Sequence, residues 1–256
     1  MVVDMNHSDF SSSELLRYTR HLALPNVGLE GQSRIKQASV LVVGLGGLGS
    51  VSALYLTGAG IGTIGLIEDD KVSLDNLHRQ ILYTTDDVGS SKIAIASKRL
   101  KAHNPEVELK LFSQRFNLAN GESIVRDFDM VVDGTDNLIS RQIINQMCVD
   151  QGKSYIFGAV NLFDGQVSVF NAAQGPCMAC LFPHAAQQEE DKQADQLAVL
   201  NTLPAMIASL QTVEVLKLIV GMGKPLIGKL LIYNALNASF DQVDIEKNPN
   251  CSVCGR

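Results

Sequence analysis

Apolar residues along this chain alternate between continuous runs, which are typical of buried strands, and spaced positions, which are typical of helices. The run from Ala38 to Val43 is largely β-branched and aliphatic, as in a strand buried on both faces, and Leu48 to Thr57 then has helical spacing. The alternation continues with a strand at Thr63 to Glu68, a helix at Lys92 to His103 and a strand at Val107 to Phe112. Strands that alternate with helices predict an α/β fold with a doubly wound, mainly parallel sheet.

Helices are also expected before this sheet, and further strands after it. Ser11 and Glu14 have the spacing of a capping box, which predicts a helix through "ELLRYTRHLAL", and a second short helix is expected at Gln32 to Gln37. A strand ends within "DMVVDGTDN", residues 129–137, and Leu138 to Gln151 has a helical pattern. The segments "SYIFGAV" and "GQVSVFN" then predict two more strands.

The pattern changes after Asn171. The stretch from Gln187 to Asp195 is charged and lacks apolar periodicity, which predicts a crossing loop. Pro204 to Gly221 has the pattern of an apolar helix that ends at a glycine, and Lys229 to Ala235 is typical of a late strand. We therefore expect a single domain with three parts: N-terminal helices (1–37), a core (38–171), and a crossing loop, helix, strand and C-terminal segment (172–256).

Composition narrows the class of protein. The chain has 256 residues, of which 46% are hydrophobic and 19% charged, as is ordinary for a globular protein. Its net charge of −6 and the lack of basic runs argue against a nucleic-acid partner. The polar and acidic stretch from Met1 to Phe10 is unlike a signal peptide, and no uncharged stretch reaches the roughly 18 to 20 residues of a membrane span. We expect a cytoplasmic protein without membrane contact.

Glycines follow the first strand in "VLVVGLGGLGS". Gly44, Gly46 and Gly49 form G-x-G-x-x-G between a predicted strand and helix, where backbone N–H groups can face an anion. Glu68 ends the next strand, the usual place for a carboxylate that accepts ribose hydroxyls. These features predict nucleotide binding on a Rossmann-like sheet, whereas a glycine turn that only packs helix on strand is the alternative. They do not choose between a dinucleotide and ATP.

Charged residues downstream favour a triphosphate. "DNLHRQ" places Asn76 and Arg79 just past the second strand, and Lys92 follows in "GSSK". A triphosphate calls for such cations and for a carboxylate that holds Mg²⁺, for which Asp136 in "DGTDN" is well placed. The alternatives are solvated surface charges and, for Asp136, a helix N-cap. A dehydrogenase should also show a proton-transfer group, but no Tyr-x-x-x-Lys occurs and His78 is the nearest histidine.

Four of the five cysteines form two C-x-x-C pairs, Cys177/Cys180 and Cys251/Cys254. Four thiolates complete a tetrahedral structural zinc site, and the gap of about 70 residues would join the crossing segment to the C-terminus. A redox dithiol is disfavoured because neither pair is predicted to open a helix after a strand. Cys148 has the position of a small core residue.

The ordered set of motifs resembles the ThiF/MoeB/HesA superfamily of ubiquitin-activating-enzyme-like adenylyltransferases. The motifs are "RYTRH", "VLVVGLGGLGS", "DNLHRQIL", "GSSK", "DGTDN", "PCMACLFP", "SLQTVEVLKL" and "NPNCSVCG", and "QILYTTDDVGSSK" and "CLFP" are most similar to the ThiF branch. The resemblance implies ATP-dependent adenylylation of the C-terminal glycine of a small ubiquitin-like sulfur-carrier protein of the ThiS/MoaD type, with release of pyrophosphate. The pathway would be thiamine or molybdopterin biosynthesis, or another route that uses such a carrier.

The resemblance also implies roles for individual residues. The nucleotide would be bound by Gly44, Gly46, Gly47, Gly49, Glu68, Asp70, Asn76, Arg79, Gln80, Lys92, Asp136 and Asn137. Arg79, Lys92, Asp136 and Arg20 would be catalytic. Asp136 would hold Mg²⁺ and the four paired cysteines zinc. Arg20 matches an arginine that reaches the site from the partner subunit, which implies a homodimer.

The chain departs from the family pattern in two places. Glu68 stands where family members usually have Asp, which keeps the charge and lengthens the reach. No cysteine occurs between Gln187 and Ser209, where many members carry one that bonds covalently to the carrier. We therefore expect the reaction to stop at the adenylate, with sulfur supplied by a separate donor. An NAD-dependent oxidoreductase and a catalytically silent, zinc-pinned carrier-binding module are the alternatives.

Overall fold

The computed structural model describes residues 10–183 and 198–255, and the strands of this part form one eight-stranded sheet. They are β1 (Ser39–Val43), β2 (Thr63–Ile67), β3 (Glu108–Phe112), β4 (Met130–Asp133), β5 (Ser154–Asn161), β6 (Asp164–Phe170), β7 (Lys229–Asn234) and β8 (Ser239–Asp244). The strand order is β3-β2-β1-β4-β5-β6-β7-β8. The five neighbouring strands β3-β2-β1-β4-β5 are parallel to one another. The pairs β5-β6, β6-β7 and β7-β8 are antiparallel. The sheet is therefore mixed, and its parallel half has the order of a doubly wound nucleotide-binding fold.

Helices cover both faces of the sheet. They are α1 (Ser12–Arg17), α2 (Thr19–Leu22), α3 (Gly28–Gln37), α4 (Gly49–Ala59), α5 (Lys92–His103), α6 (Leu118–Val125), α7 (Leu138–Asp150), α8 (Met178–Leu181) and α9 (Leu203–Val220). Short 3₁₀ helices occur at Leu74–Asn76 and Thr85–Asp87. The crossing loop predicted at Gln187 to Asp195 lies outside the described residues.

Side chains of β1 alternate between two hydrophobic cores. Val40 and Val42 pack in the core that includes α3, α4, α5 and α9, whereas Leu41 and Val43 pack in the core that includes α6 and α7. All four side chains are at most 2% exposed. The continuous apolar run in the sequence arises because both faces of this strand are covered. The prediction of a doubly wound α/β fold is confirmed.

The helix predicted through "ELLRYTRHLAL" is interrupted at Tyr18, which separates α1 from α2. Tyr18 is buried, its hydroxyl accepts a hydrogen bond from Asn104 Nδ2 at 2.8 Å, and a Cβ on Gly60 would overlap that hydroxyl. These contacts hold the tyrosine in the core and end the first helix there. The predicted capping box is confirmed, because Ser11 and Glu14 each donate a backbone N–H to the other's side chain, at 2.8 and 3.2 Å.

Besides the two 3₁₀ helices, two α-helices and one strand have no counterpart in the sequence-based prediction. α6 follows an Asn117 capping box that the sequence does carry. β8 is largely exposed, so its residues lack the apolar alternation that identifies a half-buried strand. α8 is a single turn that begins at Met178 with Cys177 as its N-cap, so the expectation that neither cysteine pair opens a helix after a strand is wrong for this pair.

α9 is long and apolar enough to cross a membrane by length and composition alone. Half of its residues are buried, and it packs on β5, β6, α3 and α4. Glu214 within it is buried and accepts hydrogen bonds from Lys217 Nζ at 2.6 Å and from the Leu226 N–H at 2.8 Å. These contacts are those of a core helix that packs on a sheet.

Replacing Gly49 with alanine should destabilise the fold, because a Cβ there would overlap the Gly44 carbonyl oxygen. We expect a loss of roughly 1–3 kcal/mol in the free energy of unfolding, as for other overpacked sites. Gly46→Ala is the matched control, since the nearest atom to its Cβ would be Gln80 Nε2 at 3.6 Å. Urea unfolding measures both variants. Equal midpoints for the two would contradict the packing role of Gly49.

Candidate active site

The carboxyl ends of β1, β2, β3 and β4 surround a cavity of about 430 Å³. Ten of the residues predicted to bind nucleotide line it: Gly44, Gly46, Glu68, Asp70, Asn76, Arg79, Gln80, Lys92, Asp136 and Asn137. This is the edge of an open α/β sheet where ligands bind. Gly47, Gly49 and Arg20 do not line the cavity of their own chain.

Glycines let the ends of β1 and β4 touch through their backbones. Gly44 has φ +84°, and a Cβ on it would lie 2.9 Å from the carbonyl oxygen of Gly134, while a Cβ on Gly134 would overlap the Gly44 oxygen. Gly46 faces the cavity beside Gln80. A Cβ on Gly47 would lie 3.0 Å from Pro204 of α9. Gly47 and Gly49 therefore shape the turn by close packing.

Glu68 is buried and joins the two loops that follow β1 and β2. Its Oε2 accepts the Leu45 N–H at 2.8 Å, and its Oε1 accepts the N–H groups of Asp69 and Asp70 at 2.9 Å. A carboxylate offers about four acceptor positions, so these three bonds leave room for the predicted ribose hydroxyl. The structure adds a second role, since Glu68 fixes the glycine turn against the loop after β2.

Two predicted phosphate-binding cations, Arg79 and Lys92, line the cavity. Lys92 begins α5, is buried, and its Nζ lies 3.1 Å from Asp70 Oδ2. The Arg79 guanidinium donates from Nη2 to Asn76 Oδ1 at 2.8 Å. His78 is exposed and its Nδ1 lies 2.9 Å from the Asp75 carbonyl oxygen, which makes it a rim residue rather than part of the cavity wall.

Gln80 carries a buried polar atom for which the described part of the chain offers no partner. Its side chain lines the cavity at 4% exposure, and Oε1 has no hydrogen bond within the described residues. A buried acceptor that is left unpaired is costly unless a ligand or water completes it. This observation supports Gln80 as a ligand contact.

Asp136 presents its carboxylate to the cavity from the loop after β4. The helix N-cap expected as its alternative role is wrong, because Asn137 caps α7 by accepting the Ser140 N–H at 2.9 Å. The Asp136 side chain is exposed, and its Oδ1 has one hydrogen bond, a 3.5 Å contact with Asn137 Nδ2. Its oxygens therefore remain available to a cation.

The cavity walls also include residues that the sequence analysis did not single out. They are Val43, Ile67, Asp69, Asp75, Gln114, Arg115, Phe116, Gly134, Thr135 and Ser140. Gln114 to Phe116 follow β3 directly, and the rule that ligands bind beyond parallel strand ends could have identified them. With them the walls hold five carboxylates (Glu68, Asp69, Asp70, Asp75, Asp136) and three cations (Arg79, Lys92, Arg115).

The four paired cysteines come together, although the pairs are far apart in sequence. The Sγ atoms of Cys177 and Cys251 lie 3.7 Å apart, those of Cys180 and Cys254 3.4 Å apart, and all four lie within 4.8 Å of one another. Sulfurs around one zinc ion at about 2.3 Å would be roughly 3.8 Å apart. The cluster therefore has the size of a tetrahedral metal site.

The thiols of this cluster differ in acidity. Burial raises the pKa of Cys177. Although burial opposes it, hydrogen bonds from the backbone N–H groups of Cys254 and Val253 lower the pKa of Cys251 to about 7. The thiolate is the form that binds metals. Cys148 is buried on α7 and belongs to the core, as expected.

Comparison with known proteins gives consistent matches over nearly the whole chain. The model of the ThiF family matches residues 18–253. A sulfur carrier protein adenylyltransferase of Thermus thermophilus is 46% identical over 251 residues, which cover 96% of this chain and 93% of that protein. A probable molybdopterin-synthase adenylyltransferase of Gracilaria tenuistipitata var. liui is 41% identical over 253 residues, covering 99% and 71%.

A solved structure shares the fold. The crystal structure of E. coli MccB with ATP superposes with a TM-score of 0.82 at 24% identity, over 94% of this chain and 75% of that one. At this identity the likeness concerns the fold alone.

Replacing Glu68 with glutamine should loosen the junction between the two loops. An amide group would place N–H against N–H at Leu45 or at Asp69 and Asp70, which should cost about 1–3 kcal/mol of unfolding free energy. Glu122→Gln on α6 is the control, since its ion pair with Arg126 is exposed and should contribute less than about 1 kcal/mol. Guanidinium unfolding compares them, and a Glu68 variant as stable as the control would contradict this role.

Proposed function

The chain belongs to the ThiF family, and we propose that it adenylylates the C-terminal glycine of a small ubiquitin-like sulfur-carrier protein. ATP would be the co-substrate and pyrophosphate the product. One observation supports this most directly: Arg79, Lys92 and Asp136, which lie on three separate segments of the chain, line one cavity together with Glu68. A dinucleotide site needs only the glycine turn and a ribose acceptor, whereas cations with a free carboxylate suit a triphosphate and a divalent metal.

The chemistry of this reaction needs positioning and charge neutralisation. The carrier carboxylate attacks the α-phosphate in line and pyrophosphate leaves, so no side-chain nucleophile is required. Arg79 and Lys92 would bind the phosphates, and Glu68 would bind the ribose. The unpaired Oε1 of Gln80 would accept a hydrogen bond from a donor group of the ligand. No histidine or cysteine occurs among the described residues that line the cavity, which fits this mechanism better than hydride transfer.

Mg²⁺ suits the charge of the cavity. Five carboxylates face three cations in its walls, so an anionic triphosphate gains from additional positive charge. Asp136 would hold the ion, because its carboxylate is exposed to the cavity and takes no part in capping α7. The metal would neutralise phosphate charge.

We propose that the cysteine cluster holds a structural zinc ion. Four thiolates at these separations leave no open coordination position, which is the arrangement of a structural site rather than a catalytic one. The ion would link the segment around α8 to the C-terminus of the chain. Cysteines that bind a metal rather than form disulfides are typical of a reducing compartment. We therefore propose a cytoplasmic location.

The proposed reaction ends at the adenylate. The sequence between Gln187 and Ser209 contains no cysteine that could bond to the carrier. A separate sulfur donor would then react with the activated glycine. The carrier, and with it the pathway of thiamine, molybdopterin or another sulfur-containing product, would be chosen by surfaces outside the nucleotide cavity.

We also propose a homodimer. Arg20 is exposed on α2 and lies outside the cavity of its own chain, so a contribution to catalysis requires the partner subunit's cavity. An apolar groove of about 480 Å³ between α4, α9 and β8 offers a surface for association. Tyr55, Ile81, Met206 and Phe240 in its walls are each at least 41% exposed, so a second copy of the chain could cover them on association.

Asp136→Asn should reduce carrier-dependent exchange between ATP and pyrophosphate by about 100-fold or more, as loss of one charge-stabilising group does in other enzymes. Asp127→Asn is the control, because Asp127 is exposed and outside the cavity. Radiolabelled pyrophosphate exchange measures both. If the unmodified protein binds NAD tightly in calorimetry and ignores ATP with Mg²⁺, the proposed function is wrong.

Cys180→Ser should abolish stoichiometric metal binding. The wild type is expected to contain about one zinc per chain, and its loss should lower Tm by about 10 °C, which corresponds to roughly 3 kcal/mol in a chain of this size. Cys148→Ala is the matched control, since Cys148 belongs to the core and not to the cluster. Plasma emission spectrometry and calorimetry provide the readouts. Retention of zinc in the Cys180 variant would exclude the four-cysteine site.

A further inference from the structure

A buried charged network lies beneath the loop that carries Asp136, and no step of the proposed reaction uses it. Asp133, the last residue of β4, is 0% exposed. Its Oδ1 accepts hydrogen bonds from the Thr135 N–H at 2.8 Å and the Thr135 hydroxyl at 2.7 Å. Its Oδ2 accepts the Tyr155 hydroxyl at 2.7 Å and lies 3.3 Å from Arg141 Nε.

Arg141 of α7 binds the same threonine from the other side. Its Nη2 donates to the Thr135 carbonyl oxygen at 2.9 Å and lies 3.4 Å from the Gly158 carbonyl oxygen. The N–H, hydroxyl and carbonyl groups of Thr135 are thus all bound by the two members of one ion pair. Burying a charged pair at this depth has a large desolvation penalty, so the pair is weak evidence for stability. Its presence points instead to a role in fixing one conformation of the Thr135 backbone.

The residues on both sides of Asp136 are therefore fixed. Thr135 is held by the ion pair, and Asn137 is held as the N-cap of α7. Among the residues that the structure describes, the Asp136 side chain has a long hydrogen bond of 3.5 Å with Asn137 Nδ2. The backbone of its neighbours consequently sets the direction of the Asp136 Cα–Cβ bond, and so the side of the cavity from which its carboxylate can reach a ligand.

Tyr155 and Gln211 also donate hydrogen bonds to Asp133, to its carboxylate and its carbonyl oxygen respectively. Burial and the neighbouring Asp133 carboxylate raise the pKa of Tyr155, so its hydroxyl stays protonated and acts as a donor. Gln211 of α9 donates from Nε2 to the carbonyl oxygens of Asp133 and Ile156, at 2.8 and 3.1 Å. Both faces of the sheet thus contribute to holding the end of β4.

We propose that the Asp133–Arg141 ion pair is a positioning device that aims Asp136 at the metal and phosphates of the bound nucleotide. The inference rests on the proposed function, since it assigns Asp136 the role of a metal ligand. A binding group that is held in place before the ligand arrives loses less entropy on binding, and groups behind a metal ligand commonly tune its affinity. Asp133 and Arg141 act through Asp136 and do not touch the nucleotide.

The test separates metal-dependent from metal-independent nucleotide binding. Calorimetry measures the affinity of the full chain for ATP with Mg²⁺ and with EDTA, and the ratio of the two affinities reports the contribution of the metal site. Asp133→Asn has nearly the same shape as the native side chain but cannot pair with Arg141. We expect it to reduce this ratio by about 10-fold, the lower end of the effect of groups behind metal ligands, with the affinity in EDTA unchanged.

A double-mutant cycle tests whether Asp133 acts through Asp136. Asp136→Asn alone should bring the ratio close to one, and adding Asp133→Asn should then change nothing further. Glu214→Gln is the matched control, because Glu214 is also a buried, ion-paired carboxylate that accepts a backbone N–H, but it lies away from the cavity. It should lower Tm and leave the ratio intact.

Each outcome decides the inference. Equal losses with Mg²⁺ and with EDTA, or additive effects in the cycle, would overturn it in favour of a purely structural role. If Asp133→Asn does not fold, Tyr155→Phe removes only one hydroxyl donor and should reduce the ratio by a smaller factor; an unchanged ratio there would overturn the inference. If the wild type binds ATP equally with Mg²⁺ and EDTA, or not at all, the proposed function fails before the positioning role is tested.

Discussion

The close contact between the backbones at the ends of β1 and β4 is the constraint on which the candidate site depends. Gly44 and Gly134 touch there without side chains, and Gly49 brings the first turn of α4 against the same point. Any Cβ in this contact would separate the two strand ends. Because the two strand ends touch, the glycine turn and the loop that carries Asp136 form adjoining walls of one cavity. The cations after β2 then face the same space.

Two buried carboxylates hold these walls in place. Glu68 binds backbone N–H groups of the turn after β1 and the loop after β2, and Asp133 binds Thr135 in the loop after β4. Both carboxylates accept most of their hydrogen bonds from groups of the protein itself. More exposed groups, such as Asp136 and Arg79, are the ones that a ligand can reach. The division is physically reasonable, because a charge that organises a loop must be desolvated, whereas a charge that binds a soluble anion or cation must be reachable.

Much of the fold could be predicted from the sequence because the central parallel strands β1, β2 and β4 are buried on both faces and therefore appear as continuous apolar runs. The rest could not, for identifiable reasons. The strand Ser239–Asp244 is exposed and carries no such pattern. The first helix ends at Tyr18 because the side chain is held by Asn104 and packs against Gly60, residues that are remote in sequence. Local periodicity cannot record contacts of that range.

The sequence by itself determined the chemistry that is available: the glycine turn, the cations, the carboxylates and four thiols with metal-ligand spacing. Only the tertiary structure decided how that chemistry is used. It made Asn137 rather than Asp136 the helix cap, added Arg115 to the cavity wall, and placed Asp133 behind the loop as half of a buried ion pair. The physical reason is that a side chain's role depends on its burial and on its partners across the sheet, and both are set by packing between distant segments.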